Sequence, residues 1–153
     1  TPFLDYVENY DKGFFALVAT SNPGANDIEG LITEDGQTVS QKTGDLLNSV
    51  ADKYIGDCGF SPVGAVVGCT NKNQTTAIRK QLSNLFFLIP GYGAQGGTAE
   101  DMKDYLKDGN GGVVNSSRGI LLARNKEDFK NLDFDEAARQ ECLKMRGAIR
   151  NAL

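Results

Sequence analysis

The residues best suited to chemistry lie in three short polar clusters, each directly after an apolar run. The loop 90–97 (Pro90-Gly91-Tyr92-Gly93-Ala94-Gln95-Gly96-Gly97) has four glycines in eight residues. Such a backbone can fold closely around a ligand, and its amides, with a helix start behind them, favour an anion. Gln95 is its one long polar side chain and can both donate and accept. A tight connecting loop would read the same way. The spacing is neither G-x-G-x-x-G nor a Walker loop, so it supports neither a dinucleotide nor ATP. The second cluster, Asn115-Ser116-Ser117-Arg118-Gly119, supplies a fixed cation. Arg118 could take a phosphate through two parallel hydrogen bonds, or be a surface arginine at a strand end. The third, Thr20-Ser21-Asn22-Pro23-Gly24, offers the Ser21 hydroxyl to a polar ligand, and a plain turn fits it equally well.

What the chain lacks narrows the chemistry further. Its 153 residues include no histidine. That removes a Ser-His-Asp triad, a Cys-His pair and any His-ligated metal from this chain. Acid–base work near neutral pH would fall to a tuned Lys, Asp, Glu or Cys. Cys58, Cys69 and Cys142 are odd in number and form no C-x-x-C pair. Neither a zinc site nor a disulfide framework is expected, and a reducing, cytoplasmic setting is. Cys69 reads as a small core residue. Asp101, Lys103 and Asp104 read as a solvated helix face, as do Asp5 and Glu8. No strand end pairs a Lys with an Asp, so the residues supply ligand-holding groups and no catalytic ones. The net charge of −4 argues against a nucleic-acid footprint. No apolar stretch is long enough to span a membrane, and no signal-peptide pattern is present. The chain begins Thr1-Pro2-Phe3 rather than with Met, so its start need not be a natural one.

The elements that must hold these clusters follow from apolar spacing. Residues 2–10 read as a helix with Phe3, Tyr6, Val7 and Tyr10 on one stripe. The runs 14–19, 63–67, 85–89 and 112–114 are continuous rather than alternating, which is the pattern of strands covered on both faces of a parallel sheet. Helical spacing appears over 43–54 (Leu46, Leu47, Val50, Tyr54) and over 73–82. It appears again from Thr98, read as an N-cap with Asp101 near the capping-box position. A long helix over 133–152 would turn Phe134, Ala137, Ala138, Cys142, Met145 and Ile149 inward. The excursion 26–42 carries a turn or a hairpin at Asp35-Gly36, and no chemistry is assigned to it. One helix followed by four strand–helix units implies right-handed βαβ units, with ligands held at the carboxyl ends of the strands.

Four motifs in order, over nearly the whole chain, resemble orotidine 5′-phosphate decarboxylase, in its longer bacterial subfamily. The segment 20–25 is similar to that family's strand-five turn. Val63-Gly64-Ala65-Val66-Val67-Gly68-Cys69-Thr70 is similar to its "GxVVGAT" segment, with Cys69 where Ala is usual. The loop 90–97 resembles its "PGxGAQGG" loop, and Val114-Asn115-Ser116-Ser117-Arg118 its phosphate-binding turn.

The resemblance implies the C-terminal half of a (β/α)8 barrel: one helix, then strands five to eight, as a single segment 1–153. It implies an enzyme that decarboxylates orotidine 5′-monophosphate to UMP without cofactor or metal, as a cytoplasmic homodimer with no membrane or nucleic-acid partner. It implies that Ser21 and Gln95 contact the pyrimidine, with Gln95 reaching toward the phosphate. Pro90 would line the pocket near the departing carboxylate, and Arg118 with Gly97 and Ser117 would hold the phosphate. The family's catalytic Lys and Asp array belongs to earlier strands, so no catalytic residue is expected here and the isolated segment is expected to be inactive. The competing readings are another phosphate-binding barrel of the same superfamily, such as a sugar-phosphate lyase or synthase, and a non-catalytic nucleotide-binding half-barrel. A full barrel needs roughly 250 residues, and a half leaves sheet edges and an apolar face open, so association or aggregation of the chain alone is expected.

Overall fold

Each of the four apolar runs forms a strand, and each strand pairs in parallel with the next one in sequence. The computed structural model describes residues 2–70 and 72–153; Thr1, at the chain start discussed above, lies outside them. The order is α1 (Pro2–Tyr10), β1 (Phe14–Ala19), α2 (Val39–Ala51), β2 (Ser61–Val67), α3 (Lys72–Gln81), β3 (Leu85–Pro90), α4 (Met102–Tyr105), β4 (Gly112–Asn115), α5 (Ser117–Leu121) and α6 (Phe134–Ala152). The sheet runs β1-β2-β3-β4. Parallel neighbours require a crossover, and the helices between the strands provide it.

The strand register divides the sheet into two chemically different faces. Ala16, Ala65, Phe87 and Gly112 form one row across the four strands. On that side Val63, Ala65 and Val67 of β2 and Leu85, Phe87 and Ile89 of β3 are wholly buried. They share one core with Ala51 of α2, Ile78 of α3, and Met102 and Tyr105 of α4. The next row, Leu17, Val66, Leu88 and Val113, lies on the opposite face. There Leu17 is 65% exposed and Val113 47% exposed. The continuous apolar runs predict cover on both faces. In this chain helices cover one face and leave the other open at the edge strands β1 and β4, while Val66 of β2 is buried and Leu88 of β3 half-buried.

Several local expectations change for identifiable reasons. Helix α2 begins at Val39, before the expected start at 43, because Thr38 and Gln41 close a capping box. The Gln41 amide donates to Thr38 Oγ1 at 3.1 Å and the Thr38 amide to Gln41 Oε1 at 2.8 Å. Leu47 and Val50 pack on the core, while Leu46 is exposed. Thr98 does not cap a helix. The Asp101 carboxylate accepts from the Thr98 amide at 2.7 Å and from its hydroxyl at 2.9 Å, closing a turn ahead of the short α4. On α1 it is Leu4 and Val7 that meet the core, while Phe3, Tyr6 and Tyr10 are exposed. On α6 Ala137 is buried and Ile149 packs inward, whereas Phe134 and Cys142 are exposed. The excursion 26–42 does contain a minimal hairpin: Ile32 and Thr38 bridge antiparallel around Gly36, whose φ is +83°. Among the described residues no helix is long and apolar enough to cross a membrane.

Candidate functional site

The three polar clusters converge at the carboxyl ends of the strands. The end of β2 makes room for the first. The Gly68 amide donates to the Ala19 carbonyl at 2.6 Å. A Cβ at Gly68 would lie 2.6 Å from Ser21 Cβ and 2.7 Å from Ser21 N, so a side chain there would push the Ser21 turn away. The Tyr105 hydroxyl, buried beneath, donates to the Gly68 carbonyl at 2.8 Å and fixes that strand end from below. Ser21 then reaches across the sheet, and its hydroxyl donates to Gln95 Oε1 at 2.5 Å.

The glycine loop is pinned from beneath and within. The Cys69 amide donates to the Pro90 carbonyl at 2.9 Å. Gly91 has φ +101°, a left-handed conformation that disfavours side chains, and a Cβ there would stand 2.7 Å from Gln95 Oε1. Within the loop the Gly93 amide donates to the Gly97 carbonyl at 2.9 Å, and the Gly97 amide to the Gly91 carbonyl at 3.3 Å. The buried Cys69 thiol sits under Gly97, where a Cβ would lie 2.1 Å from Sγ. The arginine turn is joined to this loop by Ser116, whose buried hydroxyl donates to the Tyr92 carbonyl at 3.0 Å.

Between loop and turn lies a cleft of about 110 Å³, lined by Pro90, Tyr92, Gln95, Ser116, Ser117 and Arg118 among others. Helix α5 begins at Ser117, so the amides of its first turn have no helical acceptor. Arg118 is exposed at the cleft, and among the described residues no carboxylate pairs with its guanidinium. Burial, and then the carboxylates of Glu100 and Glu141, push the Tyr92 phenol up, so it stays protonated at neutral pH. Among the described residues no Lys, Asp or Glu lines the cleft. The arrangement can hold an anion beside a polar planar group. Its described side chains include none to move a proton at neutral pH.

Four of the six residues singled out from the sequence (Pro90, Gln95, Ser117, Arg118) line this cleft, and Ser21 joins it through Gln95. Gly97 is placed differently: it lies over Cys69 and shapes the loop without lining the cleft. Ser116 and Tyr92 also belong to the site, each within one of the polar clusters. Nothing local in the sequence marked Ser116 as the buried serine of its pair.

Residues 1–130 match the family described as Orotidine 5'-phosphate decarboxylase / HUMPS family. The chain belongs to this family. It is 53% identical over 148 residues to the orotidine 5'-phosphate decarboxylase of Clostridium kluyveri, covering 97% of this chain and 51% of that protein. The same-named protein of Clostridium perfringens is 52% identical over 153 residues, covering 99% of this chain and 53% of that protein. The chain thus spans about half the length of the curated relatives it matches. Among solved structures, Leishmania donovani UMP synthase aligns with a TM-score of 0.64 at 33% identity, over 97% of this chain and 31% of that one. Leishmania donovani OMP decarboxylase aligns with a TM-score of 0.65 at 26% identity, over 95% and 52%. In the decarboxylase family, then, this chain is an α/β segment of four parallel strands that superposes on about half of a decarboxylase structure.

Proposed function

We propose that residues 1–153 form the C-terminal half of a (β/α)8 decarboxylase barrel, as one structural segment. The intact protein would convert orotidine 5′-monophosphate to UMP and CO2 in pyrimidine biosynthesis. The observation that carries this reading is the open apolar face. The row Leu17, Val66, Leu88 and Val113 is what the interior of a barrel requires, and four further strands would cover it and both sheet edges. The half-length match to the clostridial decarboxylases supports the same reading.

In this reading the chain supplies binding and the other half supplies chemistry. Arg118, with the first-turn amides of α5 and the loop around Gly97, holds the phosphate. Ser21 and Gln95, already bonded to each other at 2.5 Å, exchange that bond for contacts to the pyrimidine. Pro90 lies on the open face, two residues along β3 from Leu88 and paired with Asn115, where it can line the pocket near the departing carboxylate. The phosphate is remote from the reacting carbon. Its binding energy can close the loop and position the charged substrate, raising the rate without touching the bond that breaks. The Lys and Asp array belongs to the half this chain does not span, and the active unit would be a cofactor-free cytoplasmic homodimer.

The test is a chimaera that joins the uncovered half of the Clostridium kluyveri relative to residues 1–153. It should release CO2 from orotidine 5′-monophosphate, while 1–153 alone should not. A folded chimaera that binds a sugar phosphate but neither UMP nor orotidine 5′-monophosphate would move the chain to another phosphate-binding barrel. One that binds UMP without turnover would favour the non-catalytic reading.

A further inference from the structure

We propose that Glu29 is a positioning residue for the Ser21–Gln95 pair; this rests on the reading of that pair as the pyrimidine contact. Glu29 lies in the excursion 26–42, a stretch whose length no crossover requires. Its backbone is anchored at both ends: the Glu29 amide donates to the Ala25 carbonyl at 2.9 Å, and the Ser40 amide, in the first turn of α2, donates to the Glu29 carbonyl at 3.0 Å. From that fixed base the side chain reaches back to the end of β1. Its Oε2 accepts from the Thr20 amide at 2.9 Å, and its Oε1 from the Thr20 hydroxyl at 2.8 Å. The Thr20 hydroxyl carries one proton and also stands 2.6 Å from Asn22 Oδ1, so the firm charge-assisted tie to the carboxylate is the one from the Thr20 amide, and Ser21 is the next residue.

Ser21 is thus constrained from three directions. Glu29 holds the residue before it, the bare backbone of Gly68 packs against its Cα and Cβ, and Gln95 receives its hydroxyl. Remove the Glu29 carboxylate and the strand-end amide loses its acceptor, so the turn can drift away from Gln95. Only the Thr20 amide is an obligatory donor to Glu29, and a side chain that keeps an acceptor there can keep that bond. The contact gives the excursion a purpose that its sequence does not reveal.

The test uses the chimaera described above. Glu29→Ala leaves the Thr20 amide without its acceptor and should lower kcat/KM for orotidine 5′-monophosphate about tenfold, since small displacements of positioning groups cost of that order or more. Inhibition by ribose 5-phosphate, which carries the phosphate without the base, should stay unchanged. Thr20→Val removes the hydroxyl contacts to Glu29 and Asn22, leaves the amide bond and should give a smaller fall of the same selective kind, which keeps the test available if Glu29→Ala folds poorly. Equal losses for both ligands, or a lower thermal midpoint with unchanged kinetics, would reduce Glu29 to a structural residue and overturn the inference. A folded parent chimaera that is inactive and also fails to bind UMP would overturn the functional reading and this inference together. An active parent with an unaffected Glu29→Ala variant would overturn this inference alone.

Discussion

Gly97→Ala should disable the site through a single atom. The added Cβ would stand 2.1 Å from Cys69 Sγ, 3.0 Å from Cys69 Cβ and 3.2 Å from the Gly91 carbonyl oxygen. Ordinary contacts fall near 3.5–4.0 Å, so about 1.5 Å of overlap with the sulfur must be absorbed. Cys69 is wholly buried and its amide is tied to the Pro90 carbonyl, so the loop above it is what gives way. Overpacking of this kind costs roughly 1–3 kcal/mol. A loop shift approaching 1 Å would cost about 100-fold in catalytic efficiency. Cys69→Ala removes the offending sulfur and leaves Cβ at 3.0 Å as the nearest atom, a contact that small adjustments can relieve. The double variant should therefore recover part of the loss, with a favourable coupling of about 1 kcal/mol or more. Urea unfolding and UMP titration of the chimaera, measured for both single variants and the double, supply the cycle. Two results would refute the reasoning: Gly97→Ala costing less than about 0.5 kcal/mol, or the two substitutions adding within about 0.3–0.5 kcal/mol.

Two further predictions rest on separate groups. Arg118→Ala should weaken UMP much more than uridine, measured by calorimetric titration of the chimaera, because it removes the fixed cation of the cleft; equal weakening of both would count against a phosphate role. The second concerns acid stability: hydrogen bonding to Lys42, followed by that to Thr33, lowers the Asp35 carboxyl from 3.8 to about 2. A depressed folded pKa stabilises above the unfolded value and loses that contribution as pH falls through the folded one. The thermal midpoint of the chimaera should therefore fall between about pH 4 and pH 2 by slightly more than that of Asp35→Asn; the difference should be small, as the pair is exposed to solvent. Parallel profiles would show that Asp35 contributes nothing.

Much of the site was legible in the sequence because its parts are local. A glycine-rich loop, a strand-end arginine and a strand-end serine each announce themselves within a few residues. The order of apolar runs then places all three at the same end of a parallel sheet. What was not legible is what joins them. Ser116 reaching the Tyr92 carbonyl, Cys69 filling the space under Gly97, and Glu29 gripping Thr20 all depend on residues brought together by folding. Thr98 shows the reverse failure. A local capping pattern was present, and the Asp101 carboxylate used it to close a turn instead of opening a helix.

By itself, the sequence determined the strands, their parallel order and the family. Backbone pairing and apolar burial follow period and composition, which are read along one dimension. Only the tertiary structure decided which face of the sheet helices cover and which stays open. The runs in β2 and β3 are apolar at every position, so their pattern assigns no side. The side is chosen by where Ala51, Ile78, Met102 and Tyr105 pack, and they leave Leu17 and Val113 exposed on the other. The absence of histidine belongs with the first kind of knowledge: it excluded imidazole chemistry from this chain at once. That, among the described residues, the cleft also lacks a lysine or carboxylate is of the second kind, since the chain's 16 basic and 20 acidic residues could have been folded into it, and only positions in space show that of those described Arg118 alone lines it.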